Sequence, residues 1–322
     1  MTMWTRSAPV LAAAAFLIVI PPLLSAYPLT LVTQALIYAI FAMSLDLLLG
    51  YTGLASLGHA AYFAAGAYVV AILSTSHHVS LWLCLPLAAL GAGLVAALFG
   101  LLAIRALGVY FLMITLALGM VVWGLAFRWV SLTQGDNGIS GIPRPAGAGV
   151  SFAGPVAFYY LVLAAAGLST AFLWVTVRSP FGLSLRGIRE SERRMRALGY
   201  PVWLHKYLAF ILAGSIAGLA GGLFACYNGF VSPADAQLVT SVEAVLMVAL
   251  GGPGTLFGPA LGAGLIVFLK HFVSVYTNRW LLILGAVYIG VILAAPGGIM
   301  GLAGALRRKP PTSGTSSSTK RR

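Results

Sequence analysis

The strongest constraint on this chain is the length of sequence it runs without charge. Of its 322 residues, 60% are hydrophobic and 8% charged, where soluble domains carry roughly 25% charged residues. Apolar runs at 8–26, 29–49, 54–76, 81–104, 108–131 and 156–177 come close to or exceed the ~20 residues a helix needs to cross a hydrocarbon core. Further runs follow at 207–228, 241–269 and 280–300. In hydrocarbon every backbone N–H and C=O must be bonded within the protein, which leaves helices or closed barrels. A barrel would show short alternating segments. The expected fold class is an all-α polytopic membrane protein.

Charge sets the expected orientation. The formal net charge is +13, and of the 19 basic residues seven lie in 178–206 and six in 307–322. Basic loops beside spans stay cytoplasmic. That places both termini, Arg105 and 178–206 inside, and 132–155 outside. An even number of crossings must then separate Lys206 from Arg307. The run 241–269 is interrupted by GGPGTLFGP, residues 251–259, where glycine and proline break a helix. Two short segments or a re-entrant hairpin restore parity, giving about ten transmembrane or re-entrant segments. Residues 1–306 read as one transmembrane domain and 307–322, RRKPPTSGTSSSTKRR, as a disordered basic tail. Residues 1–26 share features with a signal peptide, but their continuation into another span favours a first transmembrane helix.

Several function classes fall away. The basic charge has no aromatic-basic surface beside it, which argues against nucleic acid. Cys84 and Cys226 are isolated, with no metal-ligand spacing. No P-loop, HExxH or GxSxG occurs, so neither a cofactor nor a catalytic constellation is indicated.

The stretch SPFGLSLRGIRESERRMRALG, Ser179–Gly199, is the exception to the apolar pattern. Ser179 with Pro180 makes a helix start, and Gly199 with Pro201 a stop. A single helix of about four turns is expected. At 3.6 residues per turn, Leu185, Ile188, Met195 and Leu198 share one arc. Arg186, Arg189, Arg193 and Arg196 share the next. Glu190–Arg194 and Glu192–Arg196 stand at i,i+4 in the favourable order. On residues alone this is either a docking helix for a cytoplasmic partner or one lying on anionic headgroups.

Other candidates lie in the spans and loops. Asp46 falls inside a span, where an ionisable group is costly; it is a pathway residue or a local hydrogen-bond acceptor. Ser56 and His59 sit in the glycine-rich entrance YTGLASLGHAAY, residues 51–62, and His59 is a proton shuttle or structural. Gly252, Gly254 and Thr255 lie at the break. Asp136, Asn137 and Arg144 lie in the turn-rich outer loop, which is a docking loop or a linker. Gly214, Gly218 and Gly222 form a helix-contact stripe.

Four stretches in order carry a family resemblance: GYTGLASLGHAAYFAAGAYVVAIL at 50–73, GDNGISGIPRP at 135–145, SPFGLSLRGIRESERRMRALGY at 179–200 and GGPGTLFGPALGA at 251–263. The chain resembles the permease subunits of branched-chain amino acid ABC importers, of the LivM type. Ala55 departs from the Gln usual in that family, so no substrate contact carries over to that turn. The resemblance implies a fold like that of the vitamin B12-type importer permeases. It also implies a homologous permease partner, two cytoplasmic ATP-binding subunits and a periplasmic or extracellular substrate-binding protein, in a bacterial inner membrane. Phe181, Gly182, Arg186, Arg189, Glu190 and Arg193 then match the coupling segment to the ATPases. Three other readings stand beside it: a urea or short-amide permease, a proton-coupled carrier using Asp46 or Glu243, and a membrane-embedded enzyme.

Overall fold

The computed structural model describes residues 16–19, 21–144, 146–147, 150–152, 154–276, 279, 282–283, 285–286, 288–290 and 298–301. Residues 8–15 and 20 of the expected span 8–26, most of 280–300 and the tail 307–322 lie outside the described residues. Long helices form where the apolar runs are free of Gly–Pro breaks. They are α1 (Ala26–Asp46), α2 (His59–Thr75), α3 (Leu81–Ala103), α4 (Val109–Arg128), α5 (Pro155–Arg178), α8 (Val202–Asn228) and α10 (Phe257–Tyr276). The basic stretch forms α6 (Pro180–Glu190) and α7 (Glu192–Ala197), and α9 (Leu238–Gly251) precedes α10. Among the described residues, six helices are long and apolar enough to cross a membrane, α1 being counted with its extension to Thr52; α2 and α9 are shorter apolar helices. The chain is an all-α multi-pass membrane protein.

The expected four-turn basic helix is a correction. It is two helices, broken at Ser191, whose backbone is extended (φ −161°, ψ 99°) and whose hydroxyl accepts from Arg194 N at 3.4 Å. Serine caps a second helix here better than it continues the first. The break changes the facing of α7. Leu185, Ile188 and Met195 are buried as expected, while Leu198 is exposed. The Glu190–Arg194 pair, which a continuous helix would support, is not among the ion pairs of the described residues, whereas Arg196–Glu192 forms at 2.5 Å.

Helices in a bilayer gain little from hydrophobicity and associate through close packing of small residues. The glycine stripe of α8 does this against α3. Gly214 faces Ala96, Gly218 faces Ala92, and Gly222 faces Ala88. The other side of α8 meets α2, where Gly66 lies on the Gly218 carbonyl and Gly221 on the Phe63 carbonyl. Around this, α1 is buried along its second half, including Ile37, Ile40, Phe41 and Leu45. Leu94 and Leu98 of α3, Met113 and Val121 of α4 and Leu168 of α5 point outward, as residues facing lipid would.

The two ends of the bundle are distinct. At one, β1 (Ile139–Ser140) pairs antiparallel with a strand at Phe230–Val231, joining the loop after α4 to the loop after α8. A small hairpin, Ala146–Gly147 with Val150–Ser151, lies in the same loop. At the other end sit α6, α7, the end of α1 and the break between α9 and α10.

A methyl group at Gly221 would overlap the Phe63 carbonyl, whereas Gly167 on α5 has open space around it. Gly221→Ala should lower stability by about 1–3 kcal/mol through overpacking. Gly167→Ala should leave the thermal midpoint in detergent unchanged or slightly raised, as replacing a helical glycine does. Equal midpoints for the two variants would contradict the α2–α8 contact.

Candidate functional site

The site begins where α1 loses its regular pitch. Past Asp46 the chain winds through wider turns over Leu47–Thr52 and stops at Gly53, φ +77°, whose N–H reaches back to Leu48 O. Residues 53–58 are non-helical, and α2 starts at His59. A second break separates α9 from α10. Gly252 (φ +108°), Gly254 (φ +81°) and Leu256 (φ +57°) all take positive φ. For leucine this left-handed conformation costs about 1–2 kcal/mol, so something must hold it.

Asp46 holds it. Its carboxylate is fully buried and accepts from Gly254 N at 2.7 Å and Leu256 N at 3.3 Å. The two breaks, over 200 residues apart in sequence, are joined by one side chain. Thr255 completes the turn, donating to Gly252 O at 2.6 Å and accepting from Gly258 N at 3.2 Å at the start of α10. Glycine is required at the crossing: a Cβ at Gly50 would overlap the Asp46 carboxylate and Gly254 N.

The basic segment reaches this clasp through Arg189. Its Nη1 donates to the Gly50 carbonyl, and its side chain lies against both glycine turns. A Cβ on Gly53 would stand 3.2 Å from Arg189 Cγ, and one on Gly254 3.1 Å from Nη1. Arg186 lies over the Tyr51 ring at 5.0 Å. Gly50, Tyr51, Arg186, Arg189, Glu190 and Gly254 line an open cavity of about 440 Å³. The coupling candidates Arg186, Arg189 and Glu190 and the pathway candidates Asp46, Gly252, Gly254 and Thr255 therefore come together in one cluster.

The base of α6 is rigidly set. Ser179 Oγ accepts from Gly182 N at 3.4 Å and donates to Thr176 O at 2.7 Å. Gly182 packs on the Val177 carbonyl, leaving no room for a side chain. Phe181 stacks on His205, ring centroids 5.6 Å apart. In α7, Glu192 accepts from Lys206 at 2.6 Å, with Lys206 itself buried, and from Arg196 at 2.5 Å. Burial alone would raise the Glu192 carboxyl, but the two cations outweigh it and hold it below its ordinary range. Arg193 and Arg194 are exposed.

The remaining candidates lie apart from the cluster. His59 is fully buried, its Nε2 2.8 Å from Ser44 Oγ and its ring stacked on Phe41. Ser56 is buried and its hydroxyl has no hydrogen-bond partner among the described residues. Asp136 and Asn137 are exposed in a single tight turn at the opposite end, and Arg144 lies over the Phe158 ring at 5.3 Å. Sequence reasoning passed over the Gly50 carbonyl, the Lys206 anchor and Lys270, which pairs with Glu243. A lysine inside an apolar helix was the available signal for Lys270. A carbonyl acceptor leaves no signal in sequence.

A family model described as "Branched-chain amino acid transport system / permease component" matches residues 27–295. The chain belongs to this family. It is 31% identical over 303 residues to the high-affinity branched-chain amino acid transport system permease protein LivM of Salmonella typhimurium, covering 87% of this chain and 71% of that protein, and equally to LivM of Escherichia coli. The autoinducer 2 import system permease protein LsrC of Klebsiella pneumoniae is 33% identical over 144 residues, 41% of this chain and 40% of that protein. No solved structure matches the chain.

Two outcomes follow from this geometry. Asp46→Asn places an amide N–H₂ against a backbone N–H and loses one of two acceptors, so about 1–3 kcal/mol of stability should go; an unchanged thermal midpoint would contradict the clasp. Glu192 has a depressed folded-state pKa, so its stabilisation is present above the unfolded carboxylate value and is lost as pH falls through the folded one. Amide-exchange protection of 192–206 should thus survive acidification through the ordinary carboxylate range and fail below it. Glu192→Gln should show no such acid step.

Proposed function

We propose that this chain is the transmembrane permease subunit of an ATP-driven importer for branched-chain or other hydrophobic amino acids. The observation that carries the reading is the contact of Arg189 with the clasp. That helix, α6, grips both helix breaks inward through Arg189, and α7 beside it turns the exposed Arg193 and Arg194 outward. The chain has no nucleotide-binding motif, so the energy must come from separate subunits. Two cytoplasmic ATP-binding subunits fit the exposed face of α6–α7, through Arg186, Arg189, Glu190 and Arg193, with Phe181 and the buried Gly182 fixing the start of α6 that presents them. A homologous permease completes the channel in the lipid bilayer, and a periplasmic or extracellular binding protein delivers cargo to the loop bearing Asp136, Asn137 and Arg144.

In this reading the protein lies in a bacterial inner membrane with both termini cytoplasmic. Residues 1–306 are the permease domain and 307–322 a basic tail. The span at 8–26 and the one at 280–300 bring the eight apolar helices to about ten segments, as in the vitamin B12-type permeases. The likeness to LivM proteins runs over 87% of the chain and that to LsrC proteins over 41–55%, which favours amino acid cargo.

Two experiments test this. In a background with Cys84 and Cys226 replaced, a membrane-impermeant maleimide should label Asn137→Cys from outside intact cells and leave Arg194→Cys unlabelled; the reverse pattern would overturn the orientation. In the reconstituted complex, Arg189→Ala with Arg193→Ala removes two charged contacts worth roughly 1.5–3 kcal/mol each. ATP-driven leucine uptake should fall at least tenfold. Normal uptake with normal ATPase stimulation would sink the docking role and leave a helix resting on headgroups.

A further inference from the structure

A second intramembrane acid lies away from the clasp. Glu243 on α9 is 4% exposed. It accepts both oxygens' bonds from Lys270 of α10, at 2.9 and 3.2 Å. Beside the pair is a cavity of about 150 Å³ reached by Gln34 and Tyr38 of α1 and His271 and Ser274 of α10. His271 stands edge-on to Tyr27, with ring centroids 5.2 Å apart. The cavity therefore lies toward the start of α1, the end opposite Gly50 and Gly254.

The geometry points to a binding station for the head group of a zwitterionic α-amino acid at this cavity, Glu243 taking the ammonium and Lys270 the carboxylate. The identity of the cargo rests on the importer reading above. Four features carry the site. Ionisable groups inside a membrane are costly and mark substrate paths by default, and a merely structural ion pair is often replaceable by apolar packing without loss. A cavity of about 150 Å³ is the size that admits a benzene-sized molecule, enough for a small amino acid's head and the start of its side chain. Met247, Ile266 and Val267 supply apolar walls for that side chain. His271 Nε2 is buried with no hydrogen-bond partner among the described residues, and its ring lines the same space.

The exchange is electrostatically even. An entering zwitterion parts the Glu243–Lys270 pair, and each ion gains the opposite charge of the ligand. No net charge is buried at any stage, and no proton needs to move. Lys270 keeps 38% of its side chain exposed against 6% for Glu243, so the lysine is the arm that can swing to admit the carboxylate.

The test uses the purified permease–ATPase complex without binding protein, measuring equilibrium binding of labelled L-leucine in the absence of ATP. ATP-driven uptake in proteoliposomes with binding protein is measured alongside. The swap Glu243→Lys with Lys270→Glu keeps an ion pair but reverses its polarity, so a bound zwitterion would turn its side chain away from the apolar wall. Binding and uptake should each fall at least tenfold while ATPase stimulation by loaded binding protein persists. Tyr38→Phe should raise the half-saturating leucine concentration without lowering maximal uptake. Should the swapped complex fail to assemble, Glu243→Gln with Lys270→Gln replaces it, with the same loss expected. Binding and uptake within twofold of wild type in either double variant would overturn the station and leave a structural ion pair beside a solvent cavity. Wild-type uptake that proceeds without ATP would overturn the importer reading alone, since binding is read without nucleotide.

Discussion

A helix may be broken inside a membrane only where its freed backbone groups find partners in protein, and one carboxylate meets that condition for the break between α9 and α10. Asp46 takes the N–H groups of Gly254 and Leu256. By doing so it stabilises a leucine in a left-handed conformation and fixes the entry of α10. The Gly50 carbonyl, on the wider turns that follow Asp46, receives Arg189. The two breaks, the central helix and the basic segment thus share a few hydrogen bonds within a turn of helix. Remove the carboxylate and the α9–α10 turn loses its tether to α1.

Rigidity on either side of the cluster fits the coupling role proposed for it. Below it, α6 is fixed to α5 by the Ser179 cap and by Gly182 against Val177. Beyond it, α7 is tied to α8 through Glu192 and Lys206, and α8 is locked to α3 and α2 by glycine–alanine and glycine–carbonyl contacts. A load applied to the exposed arginines has few soft places to dissipate before it meets the glycine turns at Gly53 and Gly254. Positive-φ glycines are the residues in this path with conformations to spare.

The span architecture was legible because length and apolarity suffice to set it: α3, α4, α5 and α8 fall within a few residues of the runs read from sequence. The second break was legible too, because GGPG has few helical options. The close-contact face of α8 followed from the spacing of Gly214, Gly218 and Gly222; that its partner is α3 did not. The division of the basic segment at Ser191 was not legible. Charge pairs at i,i+4 argued for one helix, and a serine's choice between continuing and capping depends on where Lys206 stands in three dimensions. The candidate site was legible as a roster and not as an assembly. Asp46 and Gly254 were singled out for the pathway and Arg189 for coupling, and hydrogen bonds to backbone groups more than 130 residues away leave no periodic trace.

The two acids within the spans show how differently a membrane protein can hold a carboxylate. Asp46 is satisfied by backbone N–H groups, in a place so tight that Gly50 can carry no side chain. Such a carboxylate is architectural: its partners cannot leave without the turn unwinding. Glu243 is satisfied by a long, half-exposed lysine beside open space, the arrangement on which the proposed exchange of partners rests. A proton-coupled carrier needs an acid whose acceptors open and close along the path. Asp46 has both oxygens engaged by backbone, and Glu243 has both oxygens engaged by the one ammonium of Lys270. What the second arrangement offers is an exchangeable counter-charge, the chemistry suited to a ligand that carries both signs and no net charge. It lies at the end of the bundle away from the Arg189 cluster, so the proposed ligand station and the proposed coupling cluster occupy separate depths of one fold.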